Sequence, residues 1–247
     1  MDAKRYLPVA ALVAAVIIIQ LLTTIFDASY YLTQLTMAAY YSLVAVGLCV
    51  FMGYAGQISL GQAGFFAIGG YTTATLTTVN LIEYSGAGAA ATLSRLKILS
   101  PGQDLYGNDI LAVAPWAAAL GAVVLTVAVA VLIGLPLLKL KGHYLAMATL
   151  GFGIIIYRTV LGTELFGEAD GITSVPGFPL LFGLEAGSDF DARVENYYIA
   201  WGLVVVGVVL IINLIRSRAG RALRYLHGSE EAAEAMGVDT ARFKLAI

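Results

Sequence analysis

The chain has 247 residues, 60% of them hydrophobic and 12% charged, with a mean hydropathy of +0.85 and a net charge of −2. Soluble domains carry about 25% charged residues. Half that fraction cannot coat a water-facing surface, which excludes a soluble globular enzyme, a disordered chain and a nucleic-acid binder. The near-neutral charge offers no basic field to a polyanion. A single cysteine, Cys49, lies in an apolar run, and His143 and His227 are far apart with no Cys or carboxylate at ligand spacing. No disulfide scaffold, metal site or other cofactor is indicated, and a polytopic membrane protein remains.

A spanning helix needs about 20 mostly apolar residues. The charge-free runs predict six spans, at roughly 8–25, 32–52, 63–82, 112–135, 143–161 and 197–215. The first run follows Lys4 and Arg5, but only Phe26-Asp27-Ala28-Ser29 comes after it, with no small-residue cleavage signal, so it reads as a retained helix. Placing the N-terminus in the cytoplasm puts ten Lys and Arg inside and three outside, with Arg158 within the fifth span. That is the bias expected of six spans with both ends inside. Arg158 is expected to face protein or a cavity, to meet the nearby acids Glu164, Glu168 and Asp170, or to snorkel. The outside loops, 83–111 and 162–196, hold Gly, Pro, Asp and aromatic residues, turn chemistry suited to capping the outer mouth.

Between spans two and three, residues 53–70 read GYAGQISLGQAGFFAIGG. Six glycines and no charge occur here, with Tyr54, Gln57, Ser59 and Gln62 as polar groups. On one continuous helix, Gly53, Gln57, Gly61 and Gly64 share a face, which would permit close helix packing. A helix broken at membrane depth is the other reading, since unwound backbone is tolerated there only when buried or facing a cavity, and transporters hold substrates at such breaks. The candidate substrate-pathway residues are Gly53, Tyr54, Gly56, Gln57, Ser59, Gly61, Gln62 and Gly64.

After the last span comes Arg216-Ser217-Arg218-Ala219-Gly220-Arg221-Ala222-Leu223-Arg224, cations suited to the inner membrane surface. Gly228 breaks the helix, Ser229 can cap a new one with Glu230 and Glu231 in its first turn, and Gly237 can stop it. Two turns are too short to stand alone. They form either an ordinary loop helix or one held in a partner's groove.

Glu231-Ala232-Ala233 followed by Gly237 resembles the cytoplasmic EAA-type coupling loop of ABC importer permeases. The segment 53–71, GYAGQISLGQAGFFAIGGY, resembles the permeases of high-affinity branched-chain amino acid import systems. Residues 140–150, 216–222 and 231–244 are similar to the M-type subunit of that family, in the family's order. The resemblance implies an all-α polytopic bundle with a short cytoplasmic coupling helix, residues 1–247 forming one permease transmembrane domain in the cytoplasmic (inner) membrane. It implies a second permease subunit, two ATP-binding subunits docking at Glu231, Ala232, Ala233 and Gly237, and a periplasmic or extracellular substrate-binding protein. The cargo would be Leu, Ile or Val.

Three departures stand out. The family's Gly-Gly-x-Asp-Gly-like turn is here Gly167-Glu168-Ala169-Asp170-Gly171, and no acid shortly precedes Arg158. The chain also stops at Ile247 where family members continue, so a fragment or an incomplete helix set is expected. No G-x-x-x-x-G-K-[ST] loop is present, so the chain is not itself expected to be an enzyme, and ATP chemistry belongs to a partner. The alternatives are the same family importing urea, short amides or other amino acids, and, from another class, a passive channel.

Overall fold

The computed structural model describes residues 6–82, 98–103, 109–137, 140, 142–180, 184–187, 192–228, 233, 235–237 and 240. Seven α-helices occur among the described residues: α1 (Leu7–Ile25), α2 (Tyr30–Cys49), α3 (Gln62–Thr78), α4 (Pro115–Leu137), α5 (His143–Leu161), α6 (Arg193–Arg216) and α7 (Arg218–Gly228). Five of these, α1, α2 with its continuation to Tyr54, α4, α5 and α6, are long and apolar enough to cross a bilayer. The chain is a polytopic, all-α membrane protein. It divides into two compact units, one of residues 1–59 and 180–247, the other of residues 60–179.

In the first unit, α6 packs on both α1 and α2. Leu32 and Tyr197 are fully buried beside Val16, and the Tyr197 hydroxyl donates to the Val16 carbonyl at 3.0 Å. A second cluster holds Ala39, Ala200 and Val204. Small residues at this contact let the helix backbones approach, the main device for helix association where lipid is as apolar as the side chains. Helix α1 stops because Asp27 turns into the left-handed region (φ 51) and the Ala28 N–H reaches back to the Thr23 carbonyl, a Schellman stop. Tyr6 bonds Asn213 and Tyr198 bonds Gln20, so α1 runs antiparallel to α6. Leu32 meets Tyr197 and Leu43 lies against Gly207, so α2 runs parallel to it. This alternation agrees with the orientation read from the charges.

In the second unit, α3 lies against α4 and α5. The third predicted span, 63–82, is corrected here: α3 has 17 residues and ends at Thr78. At 1.5 Å per residue its 17 residues cover about 26 Å, at the short end of what a spanning helix needs. Tertiary pairing ends it. The Leu81 N–H donates to the Leu111 carbonyl at 2.7 Å, and Asn80 Oδ1 accepts from the N–H groups of Ile82 and Leu111. Residue 111 belongs to a hairpin, β1 (Leu99–Gln103) with β2 (Asp109–Val113), antiparallel with Leu99 opposite Val113. The fourth span accordingly begins at Pro115 rather than 112. Three hydroxyls on α3 are satisfied within the helix, those of Thr73, Thr77 and Thr78 each donating four residues back.

Arg158 stands exposed near the end of α5 and makes no ion pair with Glu164, Glu168 or Asp170 among the described residues. Its place in the last turn lets a long side chain reach the interface.

Candidate functional site

The glycine-rich segment is not one helix. A π-helical turn, Val50–Tyr54, continues α2, residues 55–61 are non-helical, and α3 starts at Gln62. The face that Gly53, Gln57, Gly61 and Gly64 would share on a continuous helix therefore does not form. The structure assigns Gly53 to Ser59 to the first unit and Gly61 to Gly64 to the second.

In the first unit, a Cβ at Gly53 would meet nothing within 4 Å among the described residues, whereas Gly56 adopts φ +67 against His227. A Cβ at Gly56 would lie 2.7 Å from His227 Nδ1 and 3.2 Å from its Cα, so both the turn and the close approach demand glycine. Ala55 is buried with Leu223 and Leu226 of α7. The Arg224 guanidinium sits 5.7 Å over the Tyr54 ring. Gln57 and Ser59 are buried, and the Gln57 side-chain nitrogen has no hydrogen-bond partner among the described residues. A buried amide donor left open is costly in a packed site.

In the second unit, the Leu60 N–H donates to Thr149 Oγ1 at 3.0 Å. Gly61 caps the start of α3 close to the Thr149 carbonyl, and Gly64 lies against the Phe152 ring, each with about 3.0 Å available to a Cβ. Phe65 stacks at a tilt on Phe152. Gln62, the first helical residue, is half-buried. Beside these contacts α3 and α5 enclose an apolar groove of about 340 Å³, bounded by Leu60, Ala63, Ala67, Tyr71, Tyr157 and Val160 among others.

The predicted coupling helix is described only in part. Glu231 and Ala232 lie outside the described residues. Ala233 is buried and Ala235 is helical, the Met236 N–H bonds back to the Ala233 carbonyl, and Gly237 takes φ +80. Gly237 thus has the left-handed geometry of a helix stop.

Sequence reasoning took the arginines of α7 as a topogenic cluster with the helix broken at Gly228, and did not read its buried face. The signal was present in Gly220, Leu223 and Leu226, which recur every three residues and are the buried face of the helix. Ser217 Oγ accepts from the Gly220 N–H at 3.2 Å and so starts α7. A side chain at Gly220 would collide with the Leu214 and Ile215 carbonyls at the corner with α6.

The family model described as branched-chain amino acid transport system / permease component matches residues 30–247. The chain is 32% identical over 230 residues to the high-affinity branched-chain amino acid transport system permease protein LivM of Salmonella typhimurium, and equally to that of Escherichia coli (strain K12). Each alignment covers 85% of this chain and 47% of the relative, so the chain spans about half the length of the curated relatives it matches. No solved structure matches it significantly.

Proposed function

This chain belongs to the family of branched-chain amino acid transport permease components, and from that premise we propose that it is a membrane-spanning permease subunit of an ABC importer. Residues 1–247 act as one transmembrane domain that moves Leu, Ile or Val across the cytoplasmic membrane. ATP is hydrolysed on two partner subunits. A second permease completes the pathway, and a binding protein outside the membrane delivers the cargo. The observation that carries this reading is the family match, which runs from residue 30 through the segment that stops at Gly237.

Three features support the pathway assignment to Gly53, Tyr54, Gly56, Gln57, Ser59, Gly61, Gln62 and Gly64. Residues 55–61 are non-helical between apolar helices, a geometry that membrane proteins keep for cavities and protein interiors. The Gln57 side-chain nitrogen is buried and has no partner among the described residues. The groove beside α3 is apolar, as an aliphatic side chain requires. The test is affinity purification of the tagged chain from its native membrane in mild detergent. Recovery of a second permease and of ATP-hydrolysing subunits is expected. A preparation of this chain alone that passes solutes without ATP would make it a channel.

A further inference from the structure

We infer that the groove between α3 and α5 selects the cargo by the size of its aliphatic side chain, with Arg158 and Glu164 at one end receiving the α-carboxylate and the α-ammonium. The inference rests on the reading of the chain as a branched-chain amino acid permease, and it names the residues that tell one such cargo from another. Its physical basis lies wholly in the second unit.

The two helices run parallel. Gly61 lies at Thr149 and Gly64 at Phe152 and Gly153, and further along the Tyr71 ring meets Phe166 edge-on, just past the end of α5. The close approach of Gly64 to Phe152 fixes the separation of the helices. Ala63 and Ala67 of α3 then leave a hollow, bounded on the α5 side by Ile154, Tyr157 and Leu161. Its volume of about 340 Å³ suits one small molecule. The Tyr71 and Tyr157 hydroxyls are the sole polar side-chain groups in its lining. Such a hollow discriminates by size, since one methylene in an apolar pocket is worth about ten-fold or more. Charge borders it at one end. Ile154 and Leu161 line the groove four residues before and three residues after Arg158, so Arg158 stands beside its rim. Glu164 opens the 3-10 turn Glu164–Phe166, which carries Phe166 against Tyr71 at that same end. Both charges are exposed and form no ion pair with each other. Leu, Ile and Val share a zwitterionic head and differ in a short apolar branch. An apolar slot with one cation and one anion at its end is the complement of that shape. Urea and short amides carry neither the charges nor the branch.

The experiment uses the complete complex in proteoliposomes, with Ala67→Leu to shorten the hollow and Arg158→Gln to remove the cation. The readout is the ratio of leucine to valine uptake per assembled complex, with one binding protein throughout so that its own preference cancels. Ala67→Leu is expected to lower the ratio about ten-fold, because leucine needs room for one methylene more than valine. Arg158→Gln is expected to lower uptake of both about ten-fold with the ratio unchanged, and Arg158→Lys to recover most of it, because both cargoes carry the same carboxylate. If Ala67→Leu fails to assemble, Ile154→Phe narrows the groove from an exposed position and decides alone. A ratio that stays at the wild-type value in the narrowed groove overturns the inference. So does an equal fall of leucine and valine there, which marks a merely structural role. Undiminished uptake by Arg158→Gln overturns the placing of the carboxylate. Wild-type uptake that needs no ATP overturns the importer reading, and the same ratio measured on that passive flux still decides the groove.

Discussion

The Leu60 N–H and the Thr149 hydroxyl close a hydrogen bond of 3.0 Å between residues 89 apart in sequence. Thr149 also donates to the Ala146 carbonyl at 3.0 Å, so its hydroxyl both gives and accepts. Leaving the helix at residues 55–61 frees backbone groups that lipid cannot satisfy. At Leu60 a side chain of α5 takes over that task. Thr149→Val keeps the shape and removes the acceptor, at a cost of about 1–3 kcal/mol for the orphaned donor. Hydrogen exchange at the Leu60 amide is expected to accelerate about ten-fold or more, and Thr149→Ser is expected to retain protection. Equal exchange in the wild type and Thr149→Val would show that this bond does not hold the break.

Gly61 leaves about 3.0 Å between a built Cβ and the Thr149 carbonyl, with Phe152 next to it. Gly61→Leu forces α3 away from α5, an overpacking cost of about 1–3 kcal/mol. Membrane insertion is expected to be unchanged, because the substitution makes the segment more apolar. Leucine uptake is expected to fall about ten-fold. Wild-type uptake by the mutant would remove this position from the pathway.

The turn after α5 contains a second left-handed position at Glu168 (φ 50), between Gly167 and Gly171, both at φ 75. Here the family resemblance leads one to expect glycine. A non-glycine residue in this region costs about 1–2 kcal/mol. Glu168→Gly is expected to raise stability by up to about 1 kcal/mol, the remainder being lost to the freer unfolded chain. Thermal unfolding of the purified protein in one detergent checks the sign, and a lowered midpoint would contradict it.

Much of the helical plan was legible because a bilayer imposes one simple demand, a long uncharged run. The runs from Tyr6 to Phe26 and from Asn196 to Ile215 gave α1 and α6 to within a few residues. The break between α2 and α3 was one of two readings that its glycine density allowed, the other being a continuous close-packed helix. What could not be read was set by distant partners. Helix α3 ends early because Asn80 meets the backbone of residue 111, and apolarity alone carries no trace of that pairing. Gly56 needs to be glycine partly because His227 lies against it. The residues of α7 looked like a charge signal because arginine dominates the count, while the two leucines facing inward are few.

Gly237 has φ +80 at the end of the segment proposed to dock the ATPase. A valine there strains the backbone by about 1 kcal/mol or more and would disturb the proposed dock. Gly237→Val is expected to insert normally and to lose most of the co-purifying ATPase. Full retention would leave the segment as an ordinary loop helix.

The central claim is tested most directly by uptake of labelled leucine into proteoliposomes that hold the complex purified with this chain. With ATP on the cytoplasmic side and the binding protein outside, the account predicts accumulation above the external concentration. Unlabelled isoleucine and valine should compete and urea should not, and accumulation should cease without ATP. Equilibration of leucine to the same level with and without ATP, or accumulation of urea in place of leucine, would contradict it.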